Sequence, residues 1–235
     1  MMLDMKKNAF FAIFLFVATH AYGQVAPRVA KLARDFVPPG YVVVETIRGD
    51  LNKDQQADEV LIIKATHKKN LVQHEYRGLL DRNRRGLIIA LKKGDRYELA
   101  LENRSCFSSE NEDGGVYFPP ELNISVEKGN LRLHYEHGRY GFWSYTFRYQ
   151  NADFELIGFD SSENYGPVVD RSVSINFLTK KMLVRENVTL VEKRVSSKSK
   201  YKETSKSFVF PQLIQLRSVV DVDELDVESL LGLAK

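Results

Sequence analysis

Cysteine is almost missing from this chain: among its 235 residues only Cys106 carries a thiol. An intramolecular disulfide is therefore excluded, and stability must come from an apolar core, with or without a bound ion. Cys106 stands in NRSCFSS at the end of a strand-like segment and reads as a small, partly buried side chain. A nucleophilic role would require a positioned base, and spacing places none of His67, His74, His134 or His137 beside it.

Sharp catalytic signatures are missing too. The chain holds no Gly-x-Ser-x-Gly elbow, no glycine-rich phosphate loop and no His-Glu-x-x-His. A large excess of one charge is also lacking. The formal net charge of +3 falls to +2 once Asp4, Lys6 and Lys7 are set aside, which gives no argument for a nucleic-acid partner. The charge is nevertheless uneven. Lys193, Arg194, Lys198, Lys200, Lys202 and Lys206 crowd one run, while Asp221 to Glu228 holds five acids and no base. The two runs either face one another across the fold or are solvated; exposed ion pairs contribute only about 0–1 kcal/mol each, so solvation is the expectation.

The one long apolar run lies at the start. In MMLDMKKNAFFAIFLFVATHAYGQ, Lys6 and Lys7 precede Ala9 to Ala18, and small residues follow at Ala21 and Gly23. This is the pattern of a secretory signal peptide over residues 1–23, cleaved after Gly23. Thr19 and His20 stop the run short of the ~20 residues needed for a membrane anchor. The mature chain is expected to be a single domain, 24–235, in the periplasm or outside the cell, without a transmembrane segment.

What is present is a 43% hydrophobic chain patterned for strands. YVVVETI from Tyr41 and EVLIIKAT from Glu59 are β-branched and lack helical spacing. Lys68 to Arg85 is basic and ambiguous. Leu87–Leu91 and Tyr97–Leu101 form a hairpin about Lys93-Gly94-Asp95. LNISVEK, NLRLHYEHG, GFWSYTFRYQ and FELIGFDSS follow in close order, then a hairpin around Thr179 and Lys180. SKSFVF and LIQLRSVVDV are the last strand candidates, and VESLLGL one or two helical turns. The expected fold class is all-β, an antiparallel meander of hairpins closing as a β-sandwich, a barrel or irregular propeller-like blades.

One loop has the spacing of a metal site. In GDLNKDQQADEVLII, Asp50, Asn52 and Asp54 alternate and Asp58 stands eight after Asp50. A tight turn would aim three oxygen-bearing side chains inward, with Asp58 closing the shell and the Gln56 carbonyl adding a backbone ligand. Calcium suits such oxygens, as a structural ion rather than a catalytic one. Gln55 occupies the sixth position, where such loops use glycine, and a left-handed conformation there costs about 1 kcal/mol or more. The other reading is a polar turn whose aspartates bond the backbone.

Asp50-Leu51-Asn52-Lys53-Asp54 with Asp58 and the run Glu59 to Ile63 resembles the calcium loop and strand of FG-GAP and VCBS repeats in integrin-like β-propellers. That resemblance implies Asp50, Asn52, Asp54 and Asp58 as side-chain ligands. GFWSYTFRYQNADFELIGFDSSE, with SINFLTKKMLVRE behind it, resembles uncharacterised exported proteins of the Bacteroidetes and implies no activity.

Rings crowd the segment from Arg139 to Gly158. On an extended chain Trp143, Tyr145, Phe147 and Tyr149 share one face, either as sheet interior or as a platform for a sugar or peptide. The platform reading uses Tyr140, Trp143 and Tyr145 for stacking, with Arg139 and Arg148 for polar contacts. His134 and Glu136 point together while His137 points away, which disfavours zinc. A glycosidase would need two carboxylates about 5–9.5 Å apart, drawn from Glu98, Glu102, Glu127, Glu136, Glu155 and Asp160, and sequence does not pair them. The expected function is an exported binding or structural protein of the envelope whose ligand is a glycan, peptide or envelope component. A carboxylate-pair hydrolase, and an inhibitory or structural partner of another envelope protein, are the alternatives.

Overall fold

β-Branched and aromatic residues at alternating positions favour extended backbone packed on a shared face, and in the computed structural model the described residues form fourteen strands with a single α-helical turn. Residues 28–112, 119–189 and 199–232 are described. The expected leader, and Lys193, Arg194 and Lys198 of the basic run, lie outside them. Among the described residues no helix is long and apolar enough to cross a membrane.

The first sheet has five strands, β1 (Val29–Ala30), β2 (Tyr41–Gly49), β3 (Asp58–Ala65), β6 (Arg85–Lys93) and β7 (Arg96–Phe107), in the order β1-β7-β6-β3-β2. Between β3 and β6 the ambiguous basic segment resolves into a separate ribbon, β4 (Leu71–His74) with β5 (Gly78–Asp81). The second sheet is a seven-stranded meander in strict chain order. It runs β8 (Glu121–Glu127), β9 (Asn130–Glu136), β10 (Gly141–Gln150), β11 (Asp153–Tyr165), β12 (Val168–Asn176), β13 (Lys181–Asn187) and β14 (Tyr201–Ser207). All pairings are antiparallel.

The run EVLIIKA is apolar without alternation because β3 is covered on both faces. Val60 and Ile62, with Leu87 and Ile89 of β6, join Leu131, Leu133, Tyr145 and Phe147 of the second sheet in one core. Leu61 and Ile63, with Ile88 and Ala90, pack instead on Ala33 and Phe36 of a short 3-10 turn. Gly141 opens β10 where a side chain is impossible: its φ is +115°, and a Cβ would lie 1.8 Å from the Ser162 carbonyl. That close approach fixes the start of β10, two residues before Trp143.

Two sequence expectations are corrected here. A propeller closes blades of four-stranded sheet around a channel, whereas among the described residues a five-stranded sheet and a seven-stranded meander each run from edge to edge without closing. The FG-GAP and VCBS resemblance therefore does not extend to the architecture. LIQLRSVVDV is not a strand: it makes a single bridge, Gln215 to Glu155, and a 3-10 turn at Leu216–Ser218. It belongs to a strap that crosses both sheets.

The strap is held by bonds that replace a ladder. Asn103 Nδ2 donates to the carbonyls of Leu216 and Val219 at 3.1 and 2.8 Å, and Val222 N donates to the Cys106 carbonyl at 2.8 Å. From the other sheet, Leu156 N donates to the Ile214 carbonyl and Tyr145 Oη to the Leu225 carbonyl. Leu216, Val219, Val222 and Val227 enter the core. The acidic tail is not simply solvated: Asp221 pairs with Arg84 at 2.6 Å, and Glu228 takes both arms of Arg171 at 2.9 and 2.5 Å. Asp226 caps its own helical turn, Val227–Leu230, by accepting from Ser229 N.

Candidate ligand-binding cleft

The acidic loop from Asp50 to Asp58 is locked by its own backbone. Asp50 accepts from the N–H groups of Asp54 and Gln55, Asn52 Oδ1 from Asp54 N, and Asp54 Oδ1 from Gln56 N. Asp58 is fully buried and accepts Leu51 N on one oxygen and Lys92 N on the other, both at 2.8 Å. The Gln56 side chain accepts from Gly94 N. Lys53 and Gln55 both take positive φ, 63° and 69°, so the turn forms in spite of the missing glycine.

The Lys93 ammonium sits 2.9 Å from Asp54 Oδ2 and, through that bond, holds the Asp54 carboxyl below its usual range. Burial pushes Asp58 the other way, upward. Among the described residues no group of three or more His, Cys, Asp or Glu side chains is gathered together; the Asn52 and Gln56 oxygens of the calcium reading are of other kinds.

The five residues expected to form a ligand surface are not brought together. Tyr145 is 2% exposed and its hydroxyl is committed to the strap, which corrects its assignment as a stacking platform. The physical reason is that the shared face of β10 is the inner face of the sheet. Arg139 lies over the Tyr140 ring at the turn before β10, with its guanidinium carbon 5.3 Å from the ring centre. Arg148 is on the opposite face of β10 and donates to Asn130 at 3.3 Å. Of the five, Trp143 lines a cleft.

That cleft has a volume of about 670 Å3. Trp143 stacks on Tyr135 of β9, directly opposite it in register, with centroids 5.1 Å apart and planes within 11°. Leu122 at the start of β8, with Pro119 and Pro120, extends the apolar wall. The remaining lining is acidic: Glu110, Glu112, Glu121 and Asp223, against the one guanidinium of Arg85. Arg85 is already engaged by the Ser108 carbonyl at 3.1 Å and Glu110 at 3.3 Å.

Asp223 arrives from the strap. Its Oδ2 accepts from Ser108 N at 3.0 Å and from Ser108 Oγ. Its Oδ1 and the Tyr135 hydroxyl are both buried, and the hydroxyl interacts as a hydrogen-bond donor with the Asp223 carboxylate, which favours the charged form of the acid. Burial raises the proton affinity of both. Tyr135, Ser108 and Asp223 were missed in the sequence. Only the alternation of β9 signalled Tyr135; nothing local separates Asp223 from the other acids of the tail.

A second cleft, of about 650 Å3, opens at the other end of β10 beside Tyr149. Glu98 and Glu102, two of the six acids considered for a carboxylate pair, share it. Glu102 is bracketed by Arg28 at 2.7 Å and Arg104 at 2.6 Å, and Arg217 donates to Asp153 at 2.8 Å and to the Ala100 carbonyl. Glu127, Glu155 and Asp160 accept from Ser125, Gln150 and Ser174 respectively. Cys106 is fully buried, more so than expected, and burial raises its thiol to about 12. It is inert at neutral pH.

No protein-family model, no curated protein and no solved structure matches the chain. The resemblance of its second half to exported proteins of the Bacteroidetes is accordingly not carried further.

Proposed function

We propose that the protein is an exported binding protein that takes an extended peptide segment of another protein along β8, with the Trp143 cleft receiving one of its side chains. The observation that supports this reading is the wall made by Trp143 on Tyr135, standing beside the edge strand β8. Among the described residues β8 pairs only with β9; its C-terminal end packs on β2, where Val126 meets Gly49, and the edge used in this reading is that of Glu121 to Ile124. Glu121 and Leu122 belong both to that strand and to the cleft. Export rests on the leader pattern of Lys6, Lys7 and Ala9 to Ala18.

Hydrogen exchange tests the reading. A short β-forming peptide should slow exchange at backbone amides of Glu121 to Ile124 and leave β14, the opposite edge of the same sheet, unchanged. Equal protection at both edges would point to non-specific strand addition and overturn it. Cleavage of the peptide by pure protein would favour the hydrolase alternative instead.

A further inference from the structure

Resting on that peptide-binding reading, we infer that the side chain received in the Trp143 cleft is cationic: the ammonium of a lysine or the guanidinium of an arginine.

Two independent features converge on a cation. The first is the balance of charge, four carboxylates around the cleft against one arginine that is already bonded to Glu110. An anionic ligand would meet Glu110, Glu121 and Asp223 with no free base to neutralise it. The second is the aromatic wall. A ring face carries negative quadrupole density and attracts ammonium or guanidinium groups, most strongly when the ring is tryptophan. Stacking on Tyr135 fixes the orientation of Trp143, so little ordering remains to be done on binding.

Tyr135 itself is 3% exposed, and its hydroxyl interacts as a hydrogen-bond donor with the Asp223 carboxylate. A ligand that brings N–H donors and no acceptor answers the surplus of carboxylate oxygens around the cleft. The aliphatic stem of lysine or arginine would meanwhile cover Leu122 and the proline pair, as such stems do on apolar surfaces. A neutral sugar would supply hydroxyls to the carboxylates but would leave the surplus negative charge uncompensated.

Trp143 is the single tryptophan of the chain, so its emission reports this cleft alone. The test titrates the full protein with three pentapeptides, acetyl-Thr-Val-X-Val-Thr-amide with X as lysine, norleucine or glutamate, and with cellotriose. The expected result is a shift in Trp143 emission with the lysine peptide and affinity at least ~10-fold tighter than for norleucine, the effect of a partly desolvated cation over a ring beside a carboxylate. The glutamate peptide should not bind. Asp223→Asn should erase the lysine preference with no fall in melting temperature. Glu121→Gln at the exposed rim should weaken lysine binding by only about 2–3-fold, as a screened charge does.

Equal binding of the lysine and norleucine peptides would overturn the cationic assignment and leave the peptide-binding reading standing. A response to cellotriose with none to any peptide would overturn both, in favour of a glycan. A loss of folding in Asp223→Asn would make Asp223 structural, and the lysine preference of Glu121→Gln would then decide: an undiminished preference overturns the inference.

Discussion

The inner aromatic row of β10 ends in two clefts, and they differ in how their charges are satisfied. At the Tyr149 end, each of the carboxylates Glu102 and Asp153 has an arginine within 2.8 Å, supplied by Arg28, Arg104 and Arg217. At the Trp143 end, four carboxylates stand against one arginine. The clefts are nearly equal in size, at about 650 and 670 Å3, so volume does not distinguish them. Charge balance does. A cleft whose acids and arginines are equal in number offers a charged ligand little, while one with surplus carboxylates still attracts a cation.

The most severe way to break this comparison is at its midpoint. Phe147, fully buried between the two ends, is expected to cost about 3–5 kcal/mol on replacement by alanine, read by chemical denaturation. Both clefts should deteriorate together. Arg217→Ala acts at one end only. It leaves one oxygen of Asp153, a side chain only 6% exposed, without its partner, and should cost about 2 kcal/mol while peptide binding at Trp143 is unchanged.

At the other end, Asp223→Asn should have the opposite sign on stability. Burial raises the folded-state proton affinity of Asp223 above the ordinary carboxylate value of 3.8, so the folded form holds this proton more tightly than the unfolded one. Stability contributed by the group is therefore full below that value and declines as pH rises from it through the raised one. The asparagine variant lacks this decline, and its melting temperature at neutral pH should equal or exceed that of the parent. The difference between variant and parent should vanish in acid. The smallest effect belongs to the Asp50–Asp58 loop. Calcium must displace the Lys93 ammonium from Asp54, so Lys93→Ala should enlarge any calcium-dependent rise in melting temperature, and Asp50→Ala with Asp54→Ala should abolish it.

Strands were legible in this sequence because alternation is local. The hairpins at Gly94-Asp95, Lys128-Gly129 and Asn151-Ala152 fall where glycine and polar residues interrupt apolar runs. The shared face of Trp143, Tyr145, Phe147 and Tyr149 was equally legible. Which of these rings meets solvent was not, since that depends on what packs above them. Asp223 reaches Ser108 across 115 residues, and Tyr145 reaches Leu225 across 80. No window of local pattern contains both partners. LIQLRSVVDV misled for the same reason: its apolar residues serve burial beneath two sheets, and burial alone does not specify a ladder.

The strap has a kinetic consequence. Arg84 waits 137 residues for Asp221, and Asn103 waits 113 for Leu216. Successive hairpins can assemble early, yet the interior shared by the two sheets is sealed only when the strap docks. Such non-local closure slows folding relative to local structure. Until it occurs, the core that Leu216, Val219 and Val222 enter stands open, which makes docking of the strap, rather than formation of the strands, the step that commits this molecule to its native state.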